Sequence, residues 1–400
     1  MKNIVITKTG VINYQGIGTE EFIKNIQNPK SSDDIKIFDT SDYPVKKGYV
    51  MNDFDGKEIL GEKGLRNFNR NTLFILSALK KDMENEINYF KENNIRFGLT
   101  IGSCFGSLQS ISDYELEIFD KGPKKINPMG FGNTVLNSPT SRANIWFDIK
   151  GQSSTISSGS LSGAKAIEFA IGQIENGYID AVFCGGAEEI NMQTYLGYFL
   201  NNFLSKEEKI SPYENGKGVV LGEGCAMILL EDEESAKKRG AKILGKIVGY
   251  GSAFYGSIDN TKNLKTTGVI KSLEKAFEDA KTDKNEVEYI FTSAKGVSSF
   301  DKLEESALYE FFCDDLEKKI IIPIKSIVGE TIGASNLFQA VSALHLRDIK
   351  ALPEVFKYSK SKKILEKLKN FKINSSNFQK ILLNCISECG NHSAIIIQVI

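Results

Sequence analysis

The chain has 400 residues, 41% of them hydrophobic and 25% charged, enough for a large buried core in two or three domain-sized units or one duplicated unit. Fifty Lys and Arg stand against 51 Asp and Glu, and the net charge of -1 supplies no general attraction to nucleic acid or an anionic membrane surface. No apolar run reaches spanning length and no secretory h-region follows the first residues, so a cytoplasmic protein without a membrane partner is expected.

Strand-like and helix-like patterns alternate along the chain in an α/β manner. Met1-Lys2-Asn3-Ile4-Val5-Ile6-Thr7 predicts an opening strand, and Ile95 to Ile101 a buried one. Ser107 to Phe119 reads as a helix, with Leu108, Ile111, Ser112 and Glu115 on one face. Ser157-Ser158-Gly159-Ser160-Leu161-Ser162-Gly163 then runs from a strand into a long amphipathic helix whose Ala164, Ile167, Ile171 and Ile174 share a face. Ser160 falls where a helix N-terminus stabilises developing negative charge. Ala181 to Cys184 predicts a strand, and Val219 to Leu230 a hairpin-like pair. Glu233 to Gly240 is a short charged helix and marks a seam, giving halves 1–240 and 241–400. Without a low-complexity linker these should pack as one body. In the second half Leu273, Ala276, Phe277 and Ala280 mark a sheet-covering helix, and two apolar strands follow near Ile381 and Ile395. The order of elements hints at duplication.

Six cysteines, at 104, 184, 225, 313, 385 and 389, lack the pairing of a disulfide framework, and buried free thiols are expected. Cys385, Cys389 and His392 make a C-x3-C-x2-H cluster without a fourth ligand. A strand pair explains it more simply than a metal, and no metal is expected.

Several of these stretches resemble the β-ketoacyl-acyl carrier protein synthases. Gly159 to Ile167, Asn176-Gly177-Tyr178-Ile179-Asp180 and Gly185-Gly186-Ala187-Glu188 are similar to that family's nucleophile region. Gly102-Ser103 resembles its early turn, and Gly122-Pro123-Lys124-Lys125 its glycine-proline-basic stretch. Lys217 to Gly224 resembles its hairpin, Ala236 to Gly240 the helix after it, and Lys325-Ser326 with Gly329 its late lysine motif. The resemblance covers nearly the whole chain. It implies the thiolase fold, two similar α/β halves in a five-layered αβαβα arrangement, dimerised through the strand before the nucleophile. It implies no cofactor.

Condensation in that family uses a cysteine thiolate to carry the acyl chain. Two histidines stabilise the enolate formed on decarboxylation. The resemblance places the cysteine at Ser160, the first histidine at Lys295 and the second at Glu330. The chain holds only His345 and His392, so no shift of register restores the pair. His345 lies on a helix whose apolar face includes Phe338 and Val341, and reads as a satisfied, partly buried side chain. In Ser387-Glu388-Cys389-Gly390-Asn391, Glu388 stands where the resemblance expects a gating phenylalanine.

One subfamily keeps the fold without these groups: the chain length factor, or ketosynthase β subunit, of type II polyketide synthases. Gly296-Val297-Ser298-Ser299-Phe300-Asp301-Lys302-Leu303-Glu304 is similar to its segment at the first histidine, although Ser160 replaces the usual glutamine. This implies a non-condensing subunit paired as a heterodimer with an active ketosynthase, meeting acyl carrier protein through the complex. Leu108, Ile111, Ser112 and Glu115 would line its polyketide or polyene tunnel, although an ordinary core stripe has the same spacing. Two readings of Ser160 stay open. A small residue fits the turn and helps satisfy first-turn amides, whereas a serine-dependent acyltransferase or thioesterase would use Ser160 with Lys295 and Glu330. Lys295 is expected to pair with Glu330, and Lys325 to tie the late loop to backbone carbonyls or to Glu330.

Overall fold

A computed structural model describes residues 3–66, 68–210, 212–213, 216–256, 265–349 and 379–400. Met1 and Lys2 of the expected first strand lie outside them.

Ten main strands form one continuous sheet. Five come from the first half: β1 (Ile4–Asn13), β2 (Phe97–Gly102), β3 (Ser153–Ile156), β4 (Ala181–Glu188) and β5 (Gly224–Asp232). Five come from the second: β6 (Gly245–Phe254), β7 (Val287–Phe291), β8 (Ile320–Ile322), β9 (Gln379–Ile386) and β10 (Asn391–Val399). Their spatial order is β3-β2-β4-β5-β1 followed by β6-β10-β9-β7-β8. Counted within its own half, each set runs third, second, fourth, fifth, first. In both, the second strand is parallel to its two neighbours, and the fourth to fifth and fifth to first pairings are antiparallel. The sets meet where Ile4 and Ile6 of β1 pair with Ile247 and Gly245 of β6. The duplication hinted at by element order is thus explicit in the topology.

Helices make the other layers. In the first half they include α1 (Thr19–Ile26), α2 (Arg70–Ala78), α3 (Leu108–Lys121), α4 (Ser138–Trp146), α5 (Ser162–Glu175) and α6 (Met192–Leu200). Then come α7 (Glu233–Lys238), α8 (Thr267–Ala280), α9 (Ser298–Phe312) and α10 (Ser335–Leu344). The middle layer is α5 against α10, with strands of both halves packed around them. On α5, Ala164, Ile167, Ile171 and Ile174 are all buried, as their spacing predicts. Each such isoleucine contributes roughly 1.5 to 3 kcal/mol relative to exposure, more than any cap at this helix start. Helices α2 and α4 cover the outer face of the first set, and α8 and α9 that of the second.

Strand β5 shows why these sequences read as unbroken apolar runs. Its Ala226, Ile228 and Leu230 face the middle layer, while Cys225, Met227 and Leu229 face the outer helices. Both faces of the strand are buried. The expected hairpin from Val219 to Leu230 is corrected: the strand begins at Gly224, and Val219 to Leu221 make only single bridges. The thiols are corrected too, since Cys313 and Cys389 are exposed while Cys184, Cys225 and Cys385 are buried.

No described helix is long and apolar enough to cross a membrane. Helix α3 stands apart, because none of its residues is buried. Leu116 and Phe119 are 60% and 87% exposed, and Met129, Phe131 and Ile145 nearby are also exposed. Among the described residues β3 pairs only with β2, so one of its edges is open.

Candidate functional site

The turn before α5 is built around glycine. Gly159 has φ of 60°, a conformation costly for a residue with a Cβ. Gly102 closes β2 against the first turn of α5, where a Cβ would lie 2.4 Å from the Ser162 backbone. Ser162, rather than Ser160, ties the turn: its Oγ accepts from the Ser158 N–H at 3.0 Å and donates to the Gly159 carbonyl at 2.6 Å. The expectation that Ser160 helps satisfy first-turn amides is therefore corrected. Freed from the backbone, Ser160 is buried at 5% exposure, and its Oγ donates to Glu388 Oε2 at 2.5 Å.

Glu388 joins the two halves of the site. Its other oxygen, Oε1, is in direct contact with Lys295 Nζ. Lys295 lies 3.8 Å from Glu330 Oε2 and 4.8 Å from the Phe300 ring centroid, within cation–π reach. The expected Lys295–Glu330 pair is thus the longer of two contacts. Glu330 is held instead by Lys325, with Nζ at 2.8 Å, and accepts from the Ile332 N–H at 2.9 Å and Ser335 Oγ at 3.1 Å. The tie between Lys325 and Glu330 is as expected. The backbone of Glu330 is fixed by the stretch before β5, donating to the Val220 carbonyl at 2.8 Å and accepting from the Gly222 N–H at 3.1 Å.

These contacts make one chain of polar groups, the Ser160 hydroxyl followed by four charges: Glu388, Lys295, Glu330 and Lys325. Burial pulls the Lys295 ammonium down to about 8, opposed by the Glu330 charge beside it. For Glu330 burial acts upward, but Lys325 and Lys295 outweigh it and hold its carboxyl below the usual range. The remaining space bounded by Ser293, Lys295, Phe300, Asp301 and Glu388 is about 10 Å³, room for one water at most.

The loop carrying Lys295 is shaped by Asp301 and Glu304. Asp301 accepts from the backbone N–H groups of Lys295 at 2.9 Å, and of Gly296 and Tyr213 at 3.0 Å. Glu304 accepts from the Ser293 N–H at 2.9 Å and from Asn384 Nδ2 at 2.6 Å. Two acids therefore pin the segment that the family resemblance singled out. Glu188, from the glycine-rich end of β4, does the same for the turn after β2. It accepts from the N–H groups of Cys104 at 2.7 Å, Phe105 at 3.0 Å and Gly333 at 3.1 Å, and burial pushes it up to about 7.

Sequence reasoning missed Tyr198 and Phe203 as parts of this site. Tyr198 lies within electrostatic range of Glu330, Cys104 and Glu188, and burial raises its phenol well above the ordinary value. It packs edge-on to Phe203, which packs on Phe300 over Lys295. The only sequence signal was the aromatic density of 195–203.

Of the tunnel candidates, Leu108, Ile111 and Ser112 are half-buried and Glu115 is exposed. Among the described residues, none of the four lies in the core of this chain. The two histidines lie elsewhere. His345 at the end of α10 bridges Thr9 Oγ1 at 2.8 Å and Asp348 Oδ2 at 2.9 Å. His392, the second residue of β10, is buried, and burial pulls it down to about 4.

Comparison with known proteins agrees with this geometry at the level of family. Residues 1–236 match the model of the beta-ketoacyl synthase N-terminal domain, and residues 244–358 that of the C-terminal domain. The chain is 28% identical over 364 residues to 3-oxoacyl-[acyl-carrier-protein] synthase 2 of Coxiella burnetii, with 88% of each chain covered. It is 26% identical over 366 residues to the protein of that name from Staphylococcus aureus, again with 88% of each covered. Among solved structures, the ishigamide ketosynthase/chain length factor superposes with a TM-score of 0.87 at 19% identity, over 100% of this chain and 99% of the other. A type II polyketide synthase ketosynthase in complex with its acyl-carrier protein gives 0.80 at 21% identity, with both chains fully covered. The arrangement of strands and helices is accordingly the thiolase fold, and the chain belongs to the beta-ketoacyl synthase family.

Proposed function

We propose that the chain is a non-condensing member of this family. It works as a chain length factor, dimerised with an active ketosynthase whose cysteine and histidines complete the chemistry. The observation that carries this reading is the closed network at the three positions the family uses for catalysis. Decarboxylative condensation needs donors aimed at the oxygen that becomes the enolate. Here the donors of Lys295 and Lys325 are engaged by Glu388 and Glu330, and the room beside Lys295 admits no thioester.

The surface supports a partner. The β3 edge, unpaired among the described residues, and the exposed Leu116, Phe119, Met129 and Phe131 suit pairing with a second chain of the same fold. The half-buried face of Leu108, Ile111 and Ser112 would line the tunnel that the two chains share, and acyl carrier protein would meet the assembled complex.

One observation favours a second reading. Ser160 Oγ donates to a carboxylate at 2.5 Å, as a nucleophile does to its general base, so Glu388 rather than Lys295 would activate a serine acyltransferase or thioesterase. The contact with Lys295 opposes this, because it stabilises the carboxylate charge and makes Glu388 a weaker base. Co-expression with an intact cysteine-histidine-histidine ketosynthase followed by affinity capture tests the assignment. A stoichiometric heterodimer is expected, and a homodimer that ignores that partner contradicts it.

A further inference from the structure

Two of the six cysteines lie against the Ser160 turn, and both thiols are free. Cys104, half-buried, stands two residues after the end of β2, and its carbonyl accepts from Ser157 Oγ at 3.1 Å. Cys389 is exposed in the loop between β9 and β10, one residue after Glu388, whose carboxylate accepts from Ser160 Oγ at 2.5 Å. The same loop meets the turn a second time. Ser387 Oγ, which accepts from the Cys389 N–H at 3.3 Å, lies 3.4 Å from where a Cβ on Gly159 would stand. Ser157 to Ser160 thus bring the two loops together, and the two thiols come within electrostatic range of each other.

The two differ in what they can do. Cys389 is open to a small oxidant, whereas burial above all, with Glu188 beside it, pushes the Cys104 thiol up to about 12. Such a thiol is a poor first nucleophile in water. It becomes effective once a neighbouring sulfur is activated within reach, because the second attack is then intramolecular. Cys184, Cys225 and Cys385 sit inside strands and are fully buried, so an oxidant dissolved in water does not reach them. Cys313 is exposed, but it ends α9 and has no contact with the turn among the described residues.

We infer that Cys104 and Cys389 are a redox modification site: they close into a reversible disulfide that clamps the β9–β10 loop over Ser160 and Lys295. The oxidant is a low-molecular-weight disulfide. The Cys389 thiolate attacks one of its sulfurs, forming a mixed disulfide and releasing one small thiol. The Cys104 thiolate then attacks Cys389 Sγ and expels the second small thiol. Two protein thiols are oxidised and one small disulfide is reduced to two thiols, which carry off both protons. Because Glu388 precedes Cys389, the bridge fixes the carboxylate that joins Ser160 to Lys295. The inference stands apart from the subunit assignment, since it uses only groups of this chain.

The test treats the full chain with glutathione disulfide at pH 8 and follows intact mass and non-reducing peptide maps. A glutathione adduct on Cys389 is expected first, then its loss as a Cys104–Cys389 linked peptide appears, with the chain about 2 Da lighter than the parent. Dithiothreitol should restore the parent mass. Amide hydrogen exchange across 387–390 should slow at least tenfold in the bridged chain and recover on reduction. Cys104→Ser should stop at the Cys389 adduct. Cys389→Ser, a change at an exposed position that the fold tolerates, should give neither species. An adduct on Cys389 that never resolves, a bridge through Cys313, or no reaction overturns the inference. So does a Cys104–Cys389 bridge that leaves exchange unchanged, because nothing would then be clamped. Affinity capture of a partner reads the subunit assignment separately, and any of these failures leaves that assignment standing.

Discussion

Replacing Lys295 by methionine isolates the energetic core of the site. Losing one partner of a buried ion pair typically costs about 3 to 5 kcal/mol. Two features reduce the figure here. Glu330 keeps Lys325 at 2.8 Å and the Ile332 N–H at 2.9 Å, and the Glu388 side chain is 27% exposed and can rehydrate. Lys295→Met should therefore cost about 2 to 3 kcal/mol, below the usual range for a stranded buried charge. Glu388→Leu should cost less, about 1 to 2 kcal/mol, because Lys295 retains Glu330 and the Phe300 ring. The double variant leaves neither charge stranded and should fall within about 1 kcal/mol of the parent, since apolar replacement of a buried pair is often neutral. The cycle thus predicts a coupling of at least about 2 kcal/mol, measurable by urea denaturation at pH 7 with two probes to check coincident transitions. Effects that add within about 0.5 kcal/mol would refute the network as drawn.

Other consequences follow from single contacts. Ser160→Ala should change stability by no more than about 1 kcal/mol, since it removes one side-chain hydrogen bond. Intact mass after incubation with acyl-carrier-protein thioesters should show no adduct on the parent chain. Asp301→Ala strands three backbone N–H groups and should destabilise by about 3 kcal/mol or more, read by thermal melting. Glu304 is pushed up to about 7 by burial, so its contribution to stability is full below its ordinary value of 4.5 and lost as pH rises through about 7. The melting temperature of Glu304→Gln relative to the parent should therefore rise between pH 5 and 8, and a flat difference would contradict the assignment. Gly102→Ala places a Cβ 2.4 Å from the Ser162 backbone and should yield little soluble protein.

Much of the fold was legible because its strands are buried on both faces. β4 and β5 read as unbroken apolar runs, and α5 declared its face through Ala164, Ile167, Ile171 and Ile174. The elbow and the positions of Lys295 and Glu330 came from the family resemblance. What sequence did not reveal was who pairs with whom. Glu388 lies 93 residues after Lys295 and 228 after Ser160, and only the closing of β9 and β10 around their loop brings it between them. Ser160 and Ser162 are equally polar in sequence, and the handedness of the Gly159 turn decides which one bonds the backbone.

The central claim is that this chain does not condense. Incubating the purified chain with an acyl thioester and malonyl-acyl carrier protein, with and without an intact cysteine-histidine-histidine ketosynthase, measures it directly. The account predicts neither carbon dioxide release nor 3-oxoacyl product from the chain alone, and product when the partner is added. Formation of a 3-oxoacyl product by the chain alone would contradict it.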